Sequence, residues 1–419
     1  MSYIIGIIAT IVALMISVAL HELGHMIPAK KFGVYVPQYM IGFGPTLFSR
    51  TVGDTEYGIK AVLLGGYVRL AGMFPPARQG VPTRNRKGRL TLAEEARQAS
   101  AEELPEGREQ QAFYTLSVPQ KLTVMLGGPV VNLLMSIVIF AVIVLGIGFN
   151  QPTTTLEAVP ACIGTDTTTC SKEHPASPAH EAGLRDGDTI TSWNGASVTS
   201  WEEVVSAIDT GGTQPVEVVV ERDGTPHTFT VTPTLIAGSP KAGIISAVER
   251  VPGTPRDVAD ISWKTFTGTA SIVMVLPKAV WDTGAQLIKG EPRDPNSVLS
   301  VVGVGRIAGE VSSQTPPAAG APQISVLDRI ALLLSLWASL NMALFVFNLI
   351  PLPPLDGGHV AGALWEGARR TFNRLLNRRD PGAADTARLM PLTYAMVSLL
   401  LVMTVVLVIA DIVNPIHLL

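Results

Sequence analysis

Four long apolar segments constrain this chain more than any other feature. They cover residues 3–20, 122–149, 330–350 and 391–412, and the first three contain no charged residue. A helix of about 20 apolar residues spans the hydrocarbon core of a bilayer. The chain of 419 residues is 47% hydrophobic and only 16% charged, which is unusual for a soluble protein. We therefore predict an α-helical polytopic membrane protein with four transmembrane helices, and the net charge of −3 gives no indication of nucleic-acid binding.

Basic residues beside the spans predict how the chain lies in the membrane. Lys30, Lys31 and Lys121 border the first loop, and five arginines lie in the third loop between residues 369 and 379. Because cytoplasmic loops carry an excess of Lys and Arg, we expect loops one and three in the cytoplasm. Both termini and the long second loop are then extracytoplasmic, in a multi-pass protein of the plasma membrane.

The first span ends in the sequence His21-Glu22-Leu23-Gly24-His25. Residues four apart share one face of a helix, so His21 and His25 can bind one metal ion together. Glu22 can then act as general base toward a metal-bound water. Ionisable side chains are costly within a membrane and are functional there by default. We therefore predict a metal site with two histidine ligands and Glu22 as the catalytic residue.

A third ligand is expected at the end of the third span, where Pro351, Pro353 and Pro354 precede Asp356-Gly-Gly-His359. Irregular backbone at this depth is tolerated only around a cavity or a buried site. Asp356 can complete a three-ligand site and leave one position for water. His359 is an alternative ligand on chemical grounds, but its distance from the proline-broken turn favours a supporting or helix-end role. Charge bias and span length place Asp356 and the two histidines near the same, cytoplasmic face.

Two stretches of the first loop predict β-structure. Residues 34–40 and 57–70 are rich in Val, Ile, Tyr and Leu between glycines, a pattern typical of strands. We predict a membrane-associated β-hairpin containing Gly65 and Gly66, which would offer an edge strand to an extended peptide. A small soluble sheet is the alternative. The polar insert at 75–111 is predicted to hold one helix, between residues 91 and 103, and is assigned no chemistry.

The second loop contains a soluble α+β module. Residues 189–195 and 216–234 indicate strands, with a hairpin turn at Asp223-Gly224, and Ser200 is a suitable N-cap for a helix over 200–209. The pattern resembles a bacterial, circularly permuted PDZ domain, which implies peptide binding at a strand edge near residues 243–246. A structural spacer is the alternative. Cys162 and Cys170 lie in the same loop, and their short spacing favours a local disulfide.

These features divide the chain into eight regions. They are a first transmembrane helix (1–28), a cytoplasmic and membrane-re-entrant β region with the polar insert (29–118), a second transmembrane helix (119–150), the extracytoplasmic PDZ-like domain (151–252), interfacial helices and a linker (253–327), a third transmembrane helix (328–365), a basic cytoplasmic loop (366–390), and a fourth transmembrane helix with a tail (391–419). Apolar spacing between residues 258 and 287 predicts interfacial helices that break at Pro277, and residues 316–322 are predicted to be linker.

The motifs of three spans together resemble those of the site-2 protease family of intramembrane zinc metalloproteases. The matching sequences are His-Glu-x-x-His at 21–25, Gly-Pro-x-x-Asn at 128–132 and Asn-x-x-Pro-x-Pro-x-Leu-Asp-Gly at 348–357. With one PDZ-like module, the chain is most similar to the RseP-type bacterial members, including actinobacterial ones. The resemblance covers nearly the whole chain except the 75–111 insert, and the tandem PDZ domains of some RseP-type members have no counterpart here.

The resemblance implies Zn²⁺ as cofactor and regulated intramembrane proteolysis as function. The implied partners are single-span membrane proteins, such as anti-sigma factors and leftover signal peptides, which a first protease has already cut outside the membrane. The resemblance also suggests that Asn348 orients the substrate near the reacting carbonyl, in a substrate-binding segment with Pro351 and Pro353. Gly65 and Gly66 would hold the unwound substrate by main-chain hydrogen bonds.

Two other functions fit parts of the sequence. A metal transporter would use the broken helix at 348–356 to line a path, but transport does not require Glu22, and no second broken helix is visible in a corresponding half. A membrane-tethered peptide-binding scaffold with a vestigial metal site would not need both Glu22 and Asp356. We therefore favour a zinc metalloendopeptidase.

Overall fold

The computed structural model describes residues 2–78, 80–164, 170–171, 174–236, 238–293, 297–313 and 325–416. The chain forms two compact units, one made of Met1–Ile143 with Thr254–Leu419 and the other of Val144–Gly253. The predicted linker at 316–322 lies outside the described residues. Each unit has its own core and is described separately.

The described residues form ten α-helices and ten β-strands. The helices are α1 (Ser2–Lys31), α2 (Leu92–Glu102), α3 (Val118–Ala141), α4 (Pro178–Ala182), α5 (Trp201–Gly211), α6 (Pro255–Lys289), α7 (Val301–Ser312), α8 (Val326–Asn348), α9 (Asp356–Leu375) and α10 (Met390–Val413). The strands are β1 (Gln38–Val52), β2 (Thr55–Arg69), β3 (Phe149–Ala158), β4 (Thr189–Trp193), β5 (Ala196–Ser197), β6 (Val216–Arg222), β7 (Thr225–Val231), β8 (Thr234–Ile236), β9 (Ser239–Lys241) and β10 (Ile245–Val251).

Four of the described helical segments are long and apolar enough to cross a membrane. They are Tyr3–Lys31, Val118–Ile147, Val326–Asn348 and Thr386–Val413. They match the four predicted spans, which confirms a polytopic membrane protein. The first helix continues well past its apolar run and ends where Gly33 adopts a φ of 81° and the Val34 N–H donates to the Ala29 carbonyl. The His-Glu-x-x-His motif therefore lies in uninterrupted helix.

The β region after α1 is a sheet of two long, bent strands. Its turn lies at Gly53 and Asp54, between Val52 and Thr55. Residues 38–41 of β1 pair with both 56–59 and 66–69 of β2. The order across the sheet is therefore 46–52, 55–60, 38–41 and 66–69, which leaves 66–69 at an edge. The predicted β-structure is confirmed, although Gly65 and Gly66 lie inside β2 and not at the hairpin turn.

Helix α6 differs from the prediction. The sequence predicted a break at Pro277, but α6 continues through this residue for a total of 35 residues. A proline inside a helix removes one backbone donor and costs about 3 kcal/mol. Contacts of α6 with α3, α8 and α10 along its length offset this cost. The prediction of two broken helices was therefore wrong, because tertiary packing outweighs one lost hydrogen bond.

Buried ion pairs hold the first-loop and third-loop segments of the first unit together. Lys121, near the start of α3, places its Nζ 2.8 Å from an oxygen of Glu366 on α9, and both side chains are buried. Arg97 on α2 donates to both carboxylate oxygens of Asp385, at 2.9 and 2.7 Å. Breaking a buried pair of this kind by removing one partner costs about 3–5 kcal/mol. These contacts fix α9 and the polar insert relative to α3.

The second unit, Val144–Gly253, has a sheet in the order β10-β3-β4-β6-β7, with β5 paired to β4. Its buried core includes Trp193 and thirteen other apolar residues, from both the sheet and the helices. Ser200 caps α5 as predicted, and β6 and β7 form the predicted hairpin at residues 223–224. Cys162 and Cys170 form a disulfide, which confirms the local pairing. Strand β10 occupies one edge of the sheet.

Candidate active site

Two histidines project from one face of α1 toward a common point. The Nε2 atoms of His21 and His25 lie 3.2 Å apart, as the four-residue spacing on a helix predicts. His25 is buried, and the His21 side chain is only 12% exposed. Glu22, which directly follows His21, is directed toward β2, where one of its oxygens accepts a 2.8 Å hydrogen bond from the Val68 N–H.

Asp356 is the first residue of α9, directly after the proline-rich turn that follows α8. The glycines that follow it let the turn fold back on itself. A Cβ on Gly357 would overlap the Ile350 carbonyl, and one on Gly358 would lie 2.6 Å from the Pro353 nitrogen. As a result, the Oδ2 atom of Asp356 lies 3.3 Å from Nε2 of each histidine in the motif. The structure thus brings the three predicted metal ligands together from opposite ends of the chain.

The three ligand atoms form a nearly equilateral triangle with edges of 3.2, 3.3 and 3.3 Å. A tetrahedral zinc ion with ligands at about 2.0–2.1 Å has edges of about 3.3–3.4 Å. Oδ2 of Asp356 has no hydrogen-bond partner among the described residues, although two imidazole nitrogens face it. Two imidazoles and a carboxylate are a donor set of catalytic zinc sites. The residues therefore fit Zn²⁺ held by His21, His25 and Asp356.

Three glycines let α3 approach α1 at the metal site. A Cβ on Gly127 would overlap the carbonyl oxygen of Gly24, and one on Gly24 would lie 2.5 Å from the Gly127 carbonyl. A Cβ on Gly128 would overlap Nε2 of His25 and lie 2.8 Å from Cε1 of His21. The Gly127-Gly128-Pro129 sequence therefore seats the backbone of α3 directly against the two imidazoles.

Helix α3 also contacts the outer nitrogens of both imidazoles. Nδ1 of His25 lies 2.7 Å from the Val124 carbonyl oxygen, and Nδ1 of His21 lies 3.2 Å from the Asn132 amide nitrogen. A histidine that binds a metal through Nε2 carries its proton on Nδ1 and donates there. The buried Oδ1 of Asn132 has no partner in the described part of the chain. Rotating this amide by 180° places Oδ1 where it accepts from His21.

The edge segment 66–69 of β2 lies along α1 beside Glu22. A Cβ on Gly66 would lie 2.8 Å from Cγ1 of Val18 and from the Met40 carbonyl oxygen, so a larger residue would push the strand away from the helix. The Tyr39 hydroxyl donates a 2.6 Å hydrogen bond to the Ala19 carbonyl and fixes the sheet to the same helix. The free edge of the sheet therefore faces the metal site.

A cavity of about 410 Å³ contains the metal site. Besides the ligands and Glu22, it is lined by residues 67–69 of β2, by Leu70 directly after this strand and by Glu103 of the polar insert. Glu103 caps the C-terminus of α2 and lies 3.4 Å from Nε of Arg69. Burial raises the pKa of Glu103, and the charge of Arg69 partly offsets this shift. Nothing in the insert's own sequence predicts this position, because the tertiary contact of Arg97 with Asp385 places α2 here.

The other predicted site residues are placed differently. His359 lines the metal cavity together with Pro354, but it is not part of the cluster formed by the three ligands. Pro351 and Pro353 line a neighbouring cavity. Asn348 is the last residue of α8.

Comparisons with known proteins agree with this site. The model of peptidase family M50 matches residues 9–379. The zinc metalloprotease Rip1 of Mycobacterium tuberculosis is 30% identical, with 100% of both chains aligned. The metalloprotease MmpA of Caulobacter vibrioides is 26% identical over 88% of each chain. The zinc metalloprotease RasP of Geobacillus kaustophilus is 27% identical over 54% of this chain and 62% of its own.

The family match covers nearly the whole chain, including the complete His-Glu-x-x-His motif and Asp356. The transporter and scaffold alternatives are therefore not retained, and Zn²⁺ is the expected cofactor of a hydrolase. The chain belongs to peptidase family M50, the site-2 protease family, and is a membrane-embedded zinc metalloprotease.

Proposed function

We propose that the protein hydrolyses a peptide bond in or near the transmembrane segment of single-span membrane proteins. The observation that carries this proposal is the ligand triangle of His21, His25 and Asp356 beside Glu22, at the ends of membrane-spanning helices. When bound there, Zn²⁺ polarises the scissile carbonyl and lowers the pKa of water. The protein's own residues then position the substrate and move the proton.

Glu22 acts as the general base. Its carboxylate takes a proton from the attacking water and delivers it to the nitrogen of the leaving amine. The hydrogen bond from the Val68 N–H holds one carboxylate oxygen and leaves the other for the water. Because Glu22 lies next in sequence to His21, the helix itself sets the distance between the base and the metal ligands.

The substrate binds as an extended strand on segment 66–69. A transmembrane helix hides its amides in internal hydrogen bonds, so the reacting part must unwind and needs new partners. The edge of β2 supplies these partners, since the backbone groups of Gly66 and Val68 point to the same side of the strand. When the substrate strand pairs with segment 66–69, it takes the Val68 N–H that donates to Glu22 in the free protein. The Glu22 carboxylate is then free to act as the base.

The proposed substrate class rests on the family resemblance, and the proposed topology is consistent with it. The basic residues of loops one and three favour a cytoplasmic position for these loops, with both termini and the Val144–Gly253 unit extracytoplasmic. We propose that this unit is PDZ-like and binds peptides along the edge strand β10. Anti-sigma factors and signal-peptide remnants, cut first outside the membrane, then fit the site as substrates of regulated intramembrane proteolysis.

The test uses purified protein in lipid nanodiscs and a panel of single-span substrates already trimmed outside the membrane. We expect cleavage within or next to the transmembrane segment by the parent and none by Glu22→Gln, with zinc retained in both. Glu106→Gln is the matched control, because Glu106 is exposed in the polar insert. Near-parental cleavage by Glu22→Gln would contradict the proposed mechanism.

A further inference from the structure

A second cavity, of about 500 Å³, lies on the other side of the first turn of α9 from the metal site. Gly358 lines this cavity, whereas the adjacent Asp356 and His359 line the metal cavity. The remaining walls come from the proline turn at 351–353, the body of α9 and the segment 384–392. The mechanism proposed above uses none of these walls directly.

The cavity lies at the level where membrane headgroups are expected. Its lining includes Pro351 and Pro353, just after the span Val326–Asn348 ends, and Leu389 and Leu392, in the first turns of the span Thr386–Val413. Trp365 lines it as well and is 65% exposed. Tryptophans are enriched at membrane–water interfaces, so one wall of this cavity faces the boundary between lipid and water.

Three arginines line the cavity, and the acidic side chain beside them is already engaged. Asp385 accepts from Arg97 with both oxygens and from Nε of Arg388 at 3.0 Å. Arg78 and Arg369 instead donate to backbone carbonyls of residues 381–383. In the described part of the chain, no carboxylate lies within 4.0 Å of either of these two guanidinium groups.

The two guanidinium groups also lie close enough to repel each other. Burial lowers the pKa of Arg369, and the charges of Arg78 and Arg370 lower it further. The carboxylates of Glu366 and Asp380 offset this lowering only in part. Nε of Arg369 is buried and has no hydrogen-bond partner among the described residues. Neutral carbonyls only partly compensate two adjacent cations, so an anion with several acceptor oxygens would complete this site.

We propose that this cavity binds the headgroup of an anionic phospholipid, with its phosphate between Arg78 and Arg369. Basic pockets between transmembrane helices on the cytoplasmic side bind such headgroups, and the leucines at the start of α10 continue the cavity along the path of an acyl chain. A zwitterionic lipid would add a positive charge beside these arginines, and the nearby carboxylate, Asp385, is already engaged by Arg97 and Arg388. The bound lipid would brace the turn that presents Asp356.

The experiment compares lipid binding by the full-length protein, using native mass spectrometry and titrations in detergent with phosphatidylglycerol, phosphatidylcholine and inorganic phosphate. Arg78→Gln/Arg369→Gln removes two charges from the cavity. Arg374→Gln/Arg379→Gln removes the same charge from exposed positions outside its lining. Zinc content reports whether each variant is folded.

The parent should bind phosphatidylglycerol at least about tenfold more tightly than phosphatidylcholine, since one arginine near an anionic headgroup contributes about fivefold. This preference should be lost in Arg78→Gln/Arg369→Gln and kept in Arg374→Gln/Arg379→Gln. If the double variant fails to fold, the single variant Arg78→Gln should weaken the preference about fivefold.

Three results would overturn the proposal. The first is an unchanged preference in the cavity variants, and the second is an equal loss in the control, which would assign the effect to the charge of the whole loop. The third is inorganic phosphate that binds as tightly as phosphatidylglycerol, which would indicate a site for free anions.

Discussion

Asn132 gives the sharpest prediction for a residue outside the three metal ligands. Replacing it by leucine keeps the size of the side chain but removes the amide group that contacts Nδ1 of His21. The N–H of a zinc-bound His21 would then be buried without a partner. We expect Asn132→Leu to fold and insert normally but to bind zinc more weakly than the parent.

The magnitude follows from the buried donor. A buried N–H without an acceptor costs about 1–3 kcal/mol, and about 1.4 kcal/mol corresponds to a tenfold change in affinity. The zinc affinity should therefore fall roughly 5- to 150-fold. Loss of an outer partner of a ligating histidine typically weakens metal binding about 10- to 100-fold, which agrees with this range.

The assay is competition for zinc between the purified protein and a chelator of known affinity. Asn132→Asp is the conservative variant, since its carboxylate still accepts from His21, and it should keep zinc affinity within about threefold of the parent. Ser136→Ala is the matched control, because Ser136 is one helical turn away, equally buried, and its hydroxyl has no partner within the described residues. Parental affinity in Asn132→Leu, or equal losses in Asn132→Leu and Ser136→Ala, would refute the reasoning.

Three further predictions concern packing and pH. Gly128→Ala should remove zinc almost completely, since its methyl group would overlap the His25 ring. Gly66→Val should reduce cleavage while zinc stays bound, because the added atoms would push the substrate-binding edge away from α1. In the second unit, burial alone would raise the pKa of Asp188, but hydrogen bonds from Arg222 and the Arg185 N–H, together with the nearby positive charge, lower it overall. The stability of this unit should therefore fall below about pH 4, where the unfolded chain begins to bind a proton at this position while the folded Asp188 stays ionised, as amide hydrogen exchange of β4 and β6 would measure.

The controls separate these effects from general loss of stability. Gly305→Ala adds a methyl group in open space on α7, so zinc and cleavage should stay parental. Asp188→Asn should lower the stability of the second unit by about 3–5 kcal/mol at neutral pH and remove this contribution to the acid dependence. Full zinc content in Gly128→Ala would contradict the packing argument. An unchanged acid response in Asp188→Asn would contradict the charge argument.

The metal site could be predicted because it depends on short sequence motifs, and because ionisable side chains and broken helices are energetically costly within a membrane. The four-residue spacing on a helix brings His21 and His25 to one face. Asp356 follows a proline-rich turn, and irregular backbone is tolerated at membrane depth only around a cavity or a buried site. The four spans follow from length and apolarity alone. Helix α2 lies within the predicted range 91–103, and in the structure the Thr91 side chain caps its N-terminus.

Other features depend on contacts that are distant in sequence. Glu103 reaches the metal cavity only because Arg97 pairs with Asp385, 288 residues further along the chain. Local propensity predicted a break at Pro277, whereas packing on three helices carries α6 through it. Gly65 and Gly66 lie within β2, which reverses direction between residues 59 and 66 and so pairs with both sides of segment 38–41. Gly65 adopts a φ of 148° at this bend, and Gly66 permits close contact with Val18.

The central claim is that His21, His25 and Asp356 hold one zinc ion. The most direct measurement is the zinc stoichiometry of the purified parent, of Asp356→Ala and of His359→Ala, by elemental analysis after removal of loosely bound metal. If these three residues are the ligands, we expect one zinc per chain in the parent and in His359→Ala, and strongly reduced zinc in Asp356→Ala. Full zinc in Asp356→Ala with loss in His359→Ala would contradict this assignment and would make His359 the third ligand.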